Sequence, residues 1–112
     1  MTCKWGDIVQ VPFPFSDLSA TKKRPVLALT DADGYGDFLA VGITSRTHHP
    51  DSIPITATDI ASGGLPVESS ARIDRVITLN HRLILKTYGR GTSVFVAQVL
   101  EAVCERVTRP QT

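Results

Sequence analysis

The sequence predicts a mainly β fold, a small barrel of short strands with one C-terminal helix, on three observations. Short runs rich in β-branched residues recur over residues 7–88, each bounded by glycine, proline or a polar cluster. One of them, Pro25-Val26-Leu27-Ala28-Leu29, is apolar on both faces and so reads as a central strand. From Thr92 the period changes: Val96, Val99, Leu100, Val103 and Val107 recur at helical spacing, with Gln98, Glu101 and Glu105 on the polar side.

In chain order, residues 7–11 (DIVQV) form the first strand. Residues 16–24 are a polar loop, longer than a tight hairpin needs, ending in Lys22, Lys23 and Arg24. Pro25 then fixes the backbone entering the central strand. Residues 31–37 carry two glycines and three acids and make a turn. Residues 38–43 (FLAVGI) return as a strand, with Gly42 marking a bulge or a close backbone approach. Residues 44–52 are a polar loop, and Pro54 places the short strand 53–56 at an edge. Residues 59–64 read as a turn or brief helical turn. Residues 70–74 and 76–79 form an extended pair or one bent strand, residues 80–82 a turn, and 83–88 the last strand. Thr92 or Ser93 caps the helix, and Arg109-Pro110 ends it. Its β-branched valines have weak intrinsic helix propensity, so tertiary packing must hold it.

At 112 residues the chain reads as one domain, residues 1–112, burying about 65% of its unfolded surface. Its 42% hydrophobic and 21% charged residues are ordinary for a soluble protein. No apolar run approaches the roughly 18 residues of a membrane span, and no signal-peptide pattern opens the chain, so a cytoplasmic location is expected. Cys3 and Cys104 read as reduced and structural, Cys104 within an apolar helical pattern. No Cys/His spacing suggests a zinc site, so neither metal nor cofactor is expected. A net charge of +1 excludes a uniformly basic nucleic-acid coat. Nucleic-acid binding would need Lys22, Lys23, Arg24, Arg46, Arg72 and Arg75 gathered by folding.

The run GDIVQVPFPFSDLSATKKRPVLAL is followed, in order, by Ile43-Thr44-Ser45, Gly64-Leu65-Pro66, Ser70-Ala71-Arg72-Ile73-Asp74, Val76-Ile77-Thr78-Leu79 and Tyr88-Gly89-Arg90. In these residues and their spacing the chain resembles, over nearly its whole length, the MazF/PemK family of toxins from toxin–antitoxin pairs. The resemblance implies an SH3-like barrel of the MazF/PemK/CcdB type and a metal-independent, sequence-selective endoribonuclease. RNA carries its own nucleophile, the 2′-hydroxyl, so such an enzyme must align that oxygen, accept its proton and stabilise the charged phosphorane. The expected products are a 2′,3′-cyclic phosphate and a 5′-hydroxyl.

The resemblance assigns catalysis to Arg24, Thr44, Arg72 and Asp74. Taken alone, Arg24 is a surface cation, and Thr44 with Ser45 satisfies local amides at a strand end. Arg72 and Asp74, two apart on an extended stretch, share a face as an ordinary salt bridge worth less than about 1 kcal/mol. An aspartate beside an arginine is a weak base, and arginine a weak acid, so positioning and electrostatics are expected to dominate. Lys22, Lys23, Ser45, Arg46 and Asp17 are the candidate RNA contacts. Where PemK has a histidine in its first loop, this chain has Ser16, Asp17 and Ser19. His48 and His49, just past Thr44, are therefore alternative bases; His81 lies in a distant turn.

The resemblance also implies a homodimer holding single-stranded RNA in its interface groove, a cognate antitoxin whose disordered tail covers that groove, and DNA binding through the toxin–antitoxin complex. Two other readings are a CcdB-like toxin that binds a protein target, gyrase, without cutting RNA, and an SH3-like peptide adaptor. The adaptor needs an exposed aromatic groove, and one Trp, two Tyr and four Phe fit it poorly.

Overall fold

The computed structural model describes residues 3–13, 22–46 and 48–109, with the backbone alone at Phe13. Seven strands form one antiparallel sheet: β1 (Asp7–Phe13), β2 (Lys22–Ala28), β3 (Asp37–Thr44), β4 (Ser52–Ile55), β5 (Ile60–Gly63), β6 (Ser69–Asn80) and β7 (Lys86–Gly91). The helix α1 (Ser93–Thr108) follows. The order across the sheet is β4-β6-β3-β2-β1-β7-β5, so β2 is central, as its two apolar faces predict.

The sheet curls between two sets of buried side chains, and strand alternation sorts residues between them. Ile8, Leu27, Leu29, Val41, Ile43 and Ala71 pack against Phe95, Val96, Val99 and Val103 of α1. Val9, Val11, Val26, Ala28, Phe38, Ala40 and Leu79 form the other set, with Cys3. Each fully buried Val, Leu or Phe contributes about 1.5–3 kcal/mol relative to exposure, and this packing holds the valine-rich helix. Thr92 is the cap: its Oγ1 accepts the Phe95 N–H at 3.1 Å. No helix among the described residues is long and apolar enough to cross a membrane.

Several sequence expectations change. Lys22, Lys23 and Arg24 are not loop residues but the start of β2, paired with Phe13, Pro12 and Val11. Within residues 59–64 lies the edge strand β5, after a 3-10 turn at Ala57–Asp59. Its neighbour demands glycine: a Cβ on Gly63 would lie 2.2 Å from the Tyr88 carbonyl oxygen, and one on Gly89 2.3 Å from that of Ser62. The last strand begins later than expected, because residues 81–83 form a 3-10 turn. Val107 is 72% exposed, so the buried stripe of α1 ends at Val103. Cys104 is exposed rather than structural, while Cys3 is buried and both are free thiols.

β3 and β6 pair as Val41 with Val76 and Ile43 with Ala71. Between those pairs β3 spends one residue, Gly42, while β6 spends Arg72, Ile73, Asp74 and Arg75. The bulge expected at Gly42 is there, and its extra length lies on β6. An insertion of this kind bows the strand and re-aims its side chains. The Ile73 amide donates to the Asp51 carbonyl at 3.0 Å, tying the bowed segment to the loop after β3.

Candidate active site

Three strand segments converge on one cleft of about 350 Å³. β2 brings Arg24, β3 and the residues after it bring Thr44, Ser45 and Arg46, and the bulge of β6 brings Arg72 and Arg75. Pro25, Gly42 and Ile43 complete the lining. No carboxylate lines it among the described residues. Four guanidiniums around a small hollow make a site for an anion, and planar guanidinium forks match phosphate oxygens.

Arg72 is fixed from behind. Its Nε donates to Asp74 Oδ1 and its Nη2 to Asp74 Oδ2, both at 2.7 Å. Their side chains are 15% and 21% exposed, so this pair is better shielded than an open surface bridge. The Arg72 hydrogen bonds, more than its charge alone, hold the Asp74 carboxyl below the usual carboxylate range. Reciprocally, the Asp74 hydrogen bond raises the Arg72 guanidinium further. Asp74 is thus an ionised clamp with both oxygens engaged. Thr44 Oγ1 accepts the Arg46 amide at 3.1 Å, the local turn bond expected of a strand-end hydroxyl. Its own hydroxyl proton stays available to a ligand in the cleft.

The family model of the PemK-like, MazF-like toxins of type II toxin–antitoxin systems matches residues 4–107. The chain belongs to that family. Solved structures of low identity share the fold. The MazE–MazF structure (Form-II) from Deinococcus radiodurans is 19% identical, with a TM-score of 0.74, 98% of this chain and 99% of that one being covered. An endoribonuclease with its cognate antitoxin from a mycobacterial species is 18% identical, at a TM-score of 0.70, over 98% and 97%. Mycobacterium tuberculosis toxin MazF-mt6 is 19% identical, at a TM-score of 0.69, over 94% and 99%. No curated protein matches the chain.

Within this PemK/MazF-family fold, the expected residues divide clearly. Arg24, Thr44, Ser45, Arg46 and Arg72 meet in the cleft, and Asp74 stands behind Arg72. Lys22 and Lys23 are exposed on β2 outside its lining. Asp17, with Ser16 and Ser19, lies outside the described residues. His48 is exposed on the loop after β3. His49 is half-buried: its Nδ1 accepts the Asp51 amide at 3.1 Å, and its carbonyl accepts the Ser52 hydroxyl at 2.7 Å. One ligand-type atom each from His49, Asp51 and Asp74 lie within 4.8 Å of one another. A dication there would face the guanidiniums of Arg72, on Asp74, and Arg106, 3.6 Å from Asp51, so this donor set suits a metal poorly.

Sequence reasoning missed Asp51 and Arg106. Asp51 follows His49 by two, which hints at a shared turn, but the sequence carries no sign that the helix residue Arg106 would reach it. A larger hollow of about 650 Å³ lies between residues 55–57 and 60–69 and contains none of the expected site residues.

Proposed function

We propose that this family member is a toxin acting as a metal-independent endoribonuclease on single-stranded RNA. The observation that carries the reading is the arginine cleft: Arg24, Arg46, Arg72 and Arg75 with Thr44 and Ser45 around about 350 Å³. A scissile phosphate seated there meets Arg24 and Arg72 as the charge-stabilising forks, and Thr44 as a hydroxyl donor. The neighbouring 2′-hydroxyl attacks phosphorus and gives its proton to water, the P–O5′ bond breaks as the 5′-oxygen takes a proton from water, and a 2′,3′-cyclic phosphate remains on the upstream piece. Arg72, held by Asp74, is already oriented when the phosphate arrives, so no reorganisation is needed as charge develops.

Proton transfer is the weak part of this site. Asp74 is the best-placed carboxylate, yet its oxygens are engaged and its basicity is low. Catalysis therefore rests on positioning and electrostatics, and turnover is modest.

The partners follow from the same cleft. A basic hollow accepts an acidic, partly apolar antitoxin tail in competition with RNA. The Deinococcus and mycobacterial neighbours include toxin–antitoxin complexes, which supports a cognate antitoxin here. A homodimer in the cytoplasm, with DNA bound through the antitoxin complex, completes the proposal. The CcdB-like alternative does not require four arginines and two hydroxyls in one hollow, and the cleft favours RNA.

The test is incubation of purified protein with mixed single-stranded RNA in EDTA, followed by end-group mapping. Cleavage with 2′,3′-cyclic phosphate and 5′-hydroxyl ends is expected. Strict dependence on Mg²⁺, or 5′-phosphate products, would overturn the mechanism.

A further inference from the structure

Behind the cleft, side chains of alternating charge run from β6 to α1. Arg72 grips Asp74 at 2.7 Å. Asp74, His49 and Asp51 bring their polar atoms within 4.8 Å of one another. Arg106 of α1 closes the line on Asp51 at 3.6 Å. Histidine is the one side-chain type in this line that ordinarily titrates near neutral pH.

The geometry argues against His49 as the base that takes the 2′-hydroxyl proton. Its Nδ1 accepts the Asp51 amide, so the neutral ring carries its proton on Nε2, the lone pair a base would use is held by its own loop, and charging the ring gives up that bond. It is also absent from the cleft lining, which Arg72 reaches and His49 does not. What His49 does approach is the carboxylate that holds Arg72, with a polar atom of each within 4.8 Å.

We propose that His49 is a positioning residue of the RNA site, acting through Asp74: its charge decides how fully that carboxylate is committed to Arg72. This rests on the RNA reading of the cleft. With His49 neutral, the Asp74 charge is answered by Arg72 and offsets much of that guanidinium's attraction for a phosphate. With His49 protonated, a second cation shares the carboxylate and more of the Arg72 charge is left to the cleft. Asp74 stays ionised throughout, because Arg72 holds it so. The groups facing His49 are Asp51 on its own loop, Asp74 and Arg72 on β6, and Arg106 across Asp51 on α1. One added unit charge near a half-buried cluster changes phosphate affinity by about three- to tenfold, in the direction of tighter binding at lower pH.

Two measurements on the full chain test this. Ring ¹⁵N NMR follows the His49 titration in the parent protein, in Asp74→Asn and in Arg72→Gln. The midpoint is expected to fall when the carboxylate is lost and to rise when the guanidinium is lost. A midpoint that moves in neither variant overturns the coupling. The second measurement is the Kd of a fluorescent, mixed-sequence 2′-O-methyl RNA, which cannot be cleaved, at about pH 5.5 and about pH 8. Binding about three- to tenfold tighter at the lower pH is expected, lost in His49→Gln and kept in His81→Gln. A pH effect that survives His49→Gln overturns the proposal. If the parent protein binds no RNA at either pH, the RNA reading falls, while the NMR comparison still decides whether His49 acts on Asp74.

Discussion

Replacing Asp74 by asparagine separates what the carboxylate does by charge from what it does by geometry. Asparagine keeps one acceptor, but its amide nitrogen would face a guanidinium donor, so one of the two 2.7 Å bonds is lost outright. Hydrogen bonds to charged groups contribute about 1.5–3 kcal/mol, and partial exposure of this pair argues for the lower end. The expected loss at pH 7 is about 1–2 kcal/mol, or roughly 4–8 °C in Tm for a chain of this length. The sign with pH follows from the depressed Asp74 carboxyl. Its contribution is present above the ordinary carboxylate value near ~4 and lost as pH falls through the lower folded value, so the two proteins converge in acid. For function, the lost negative charge leaves RNA binding equal or tighter, while Arg72 loses its fixed orientation and cleavage falls by about 10–100-fold or more. Single-turnover cleavage in EDTA, with KM and kcat measured separately, reads both. An unchanged kcat with weakened binding would refute the reasoning, since it would make the pair an RNA contact and not a clamp.

Arg24→Ala should lower cleavage by roughly 10²-fold or more with folding intact, and Arg24→Lys should restore only part of it, because an ammonium lacks the bidentate fork. Gly89→Ala should drive β5 from β7, since the added methyl would sit 2.3 Å from one backbone atom and 2.9 Å from another; a loss above about 2 kcal/mol in urea unfolding is expected. Of the two thiols, the exposed Cys104 should react rapidly with a disulfide reagent at pH 8. Cys3, its thiol pushed up to about 12 chiefly by burial, should react only on unfolding.

Where the sequence signal was local, it was sufficient. The two-sided apolarity of residues 25–29 identified the central strand, and the change of period at Thr92 located the helix and narrowed its cap to Thr92 or Ser93, of which Thr92 is the cap. Pro54 correctly marked an edge. The readings that failed depended on pairing partners. Lys22 to Arg24 look like loop residues by composition, but hydrogen bonding to β1 makes them strand. The run at residues 60–63 is extended because β7 offers Gly89 and Gly91 opposite it. Val107 continues the apolar stripe of α1, yet it is exposed, because burial depends on what packs opposite and not on the stripe alone. At the site, the Arg72–Asp74 pair was legible from a spacing of two on a strand, and the gathering of cations was posed as a condition on folding. That Gly42 would stand opposite four residues of β6 depends on β3–β6 register, which no single segment encodes.

Because β6 follows β2 and β3 in the chain, the residues that complete the cleft are made after those that begin it. Arg24 and Thr44 leave the ribosome long before Arg72, and β1 cannot find β7, its second neighbour, until nearly the whole chain is made. The side chains that seal one face of the sheet, Phe95 to Val103, are later still. A topology dominated by such distant pairings folds more slowly than a helical bundle of equal length. A chain interrupted during synthesis before α1 therefore carries the arginines without the helix that seals one face of the sheet.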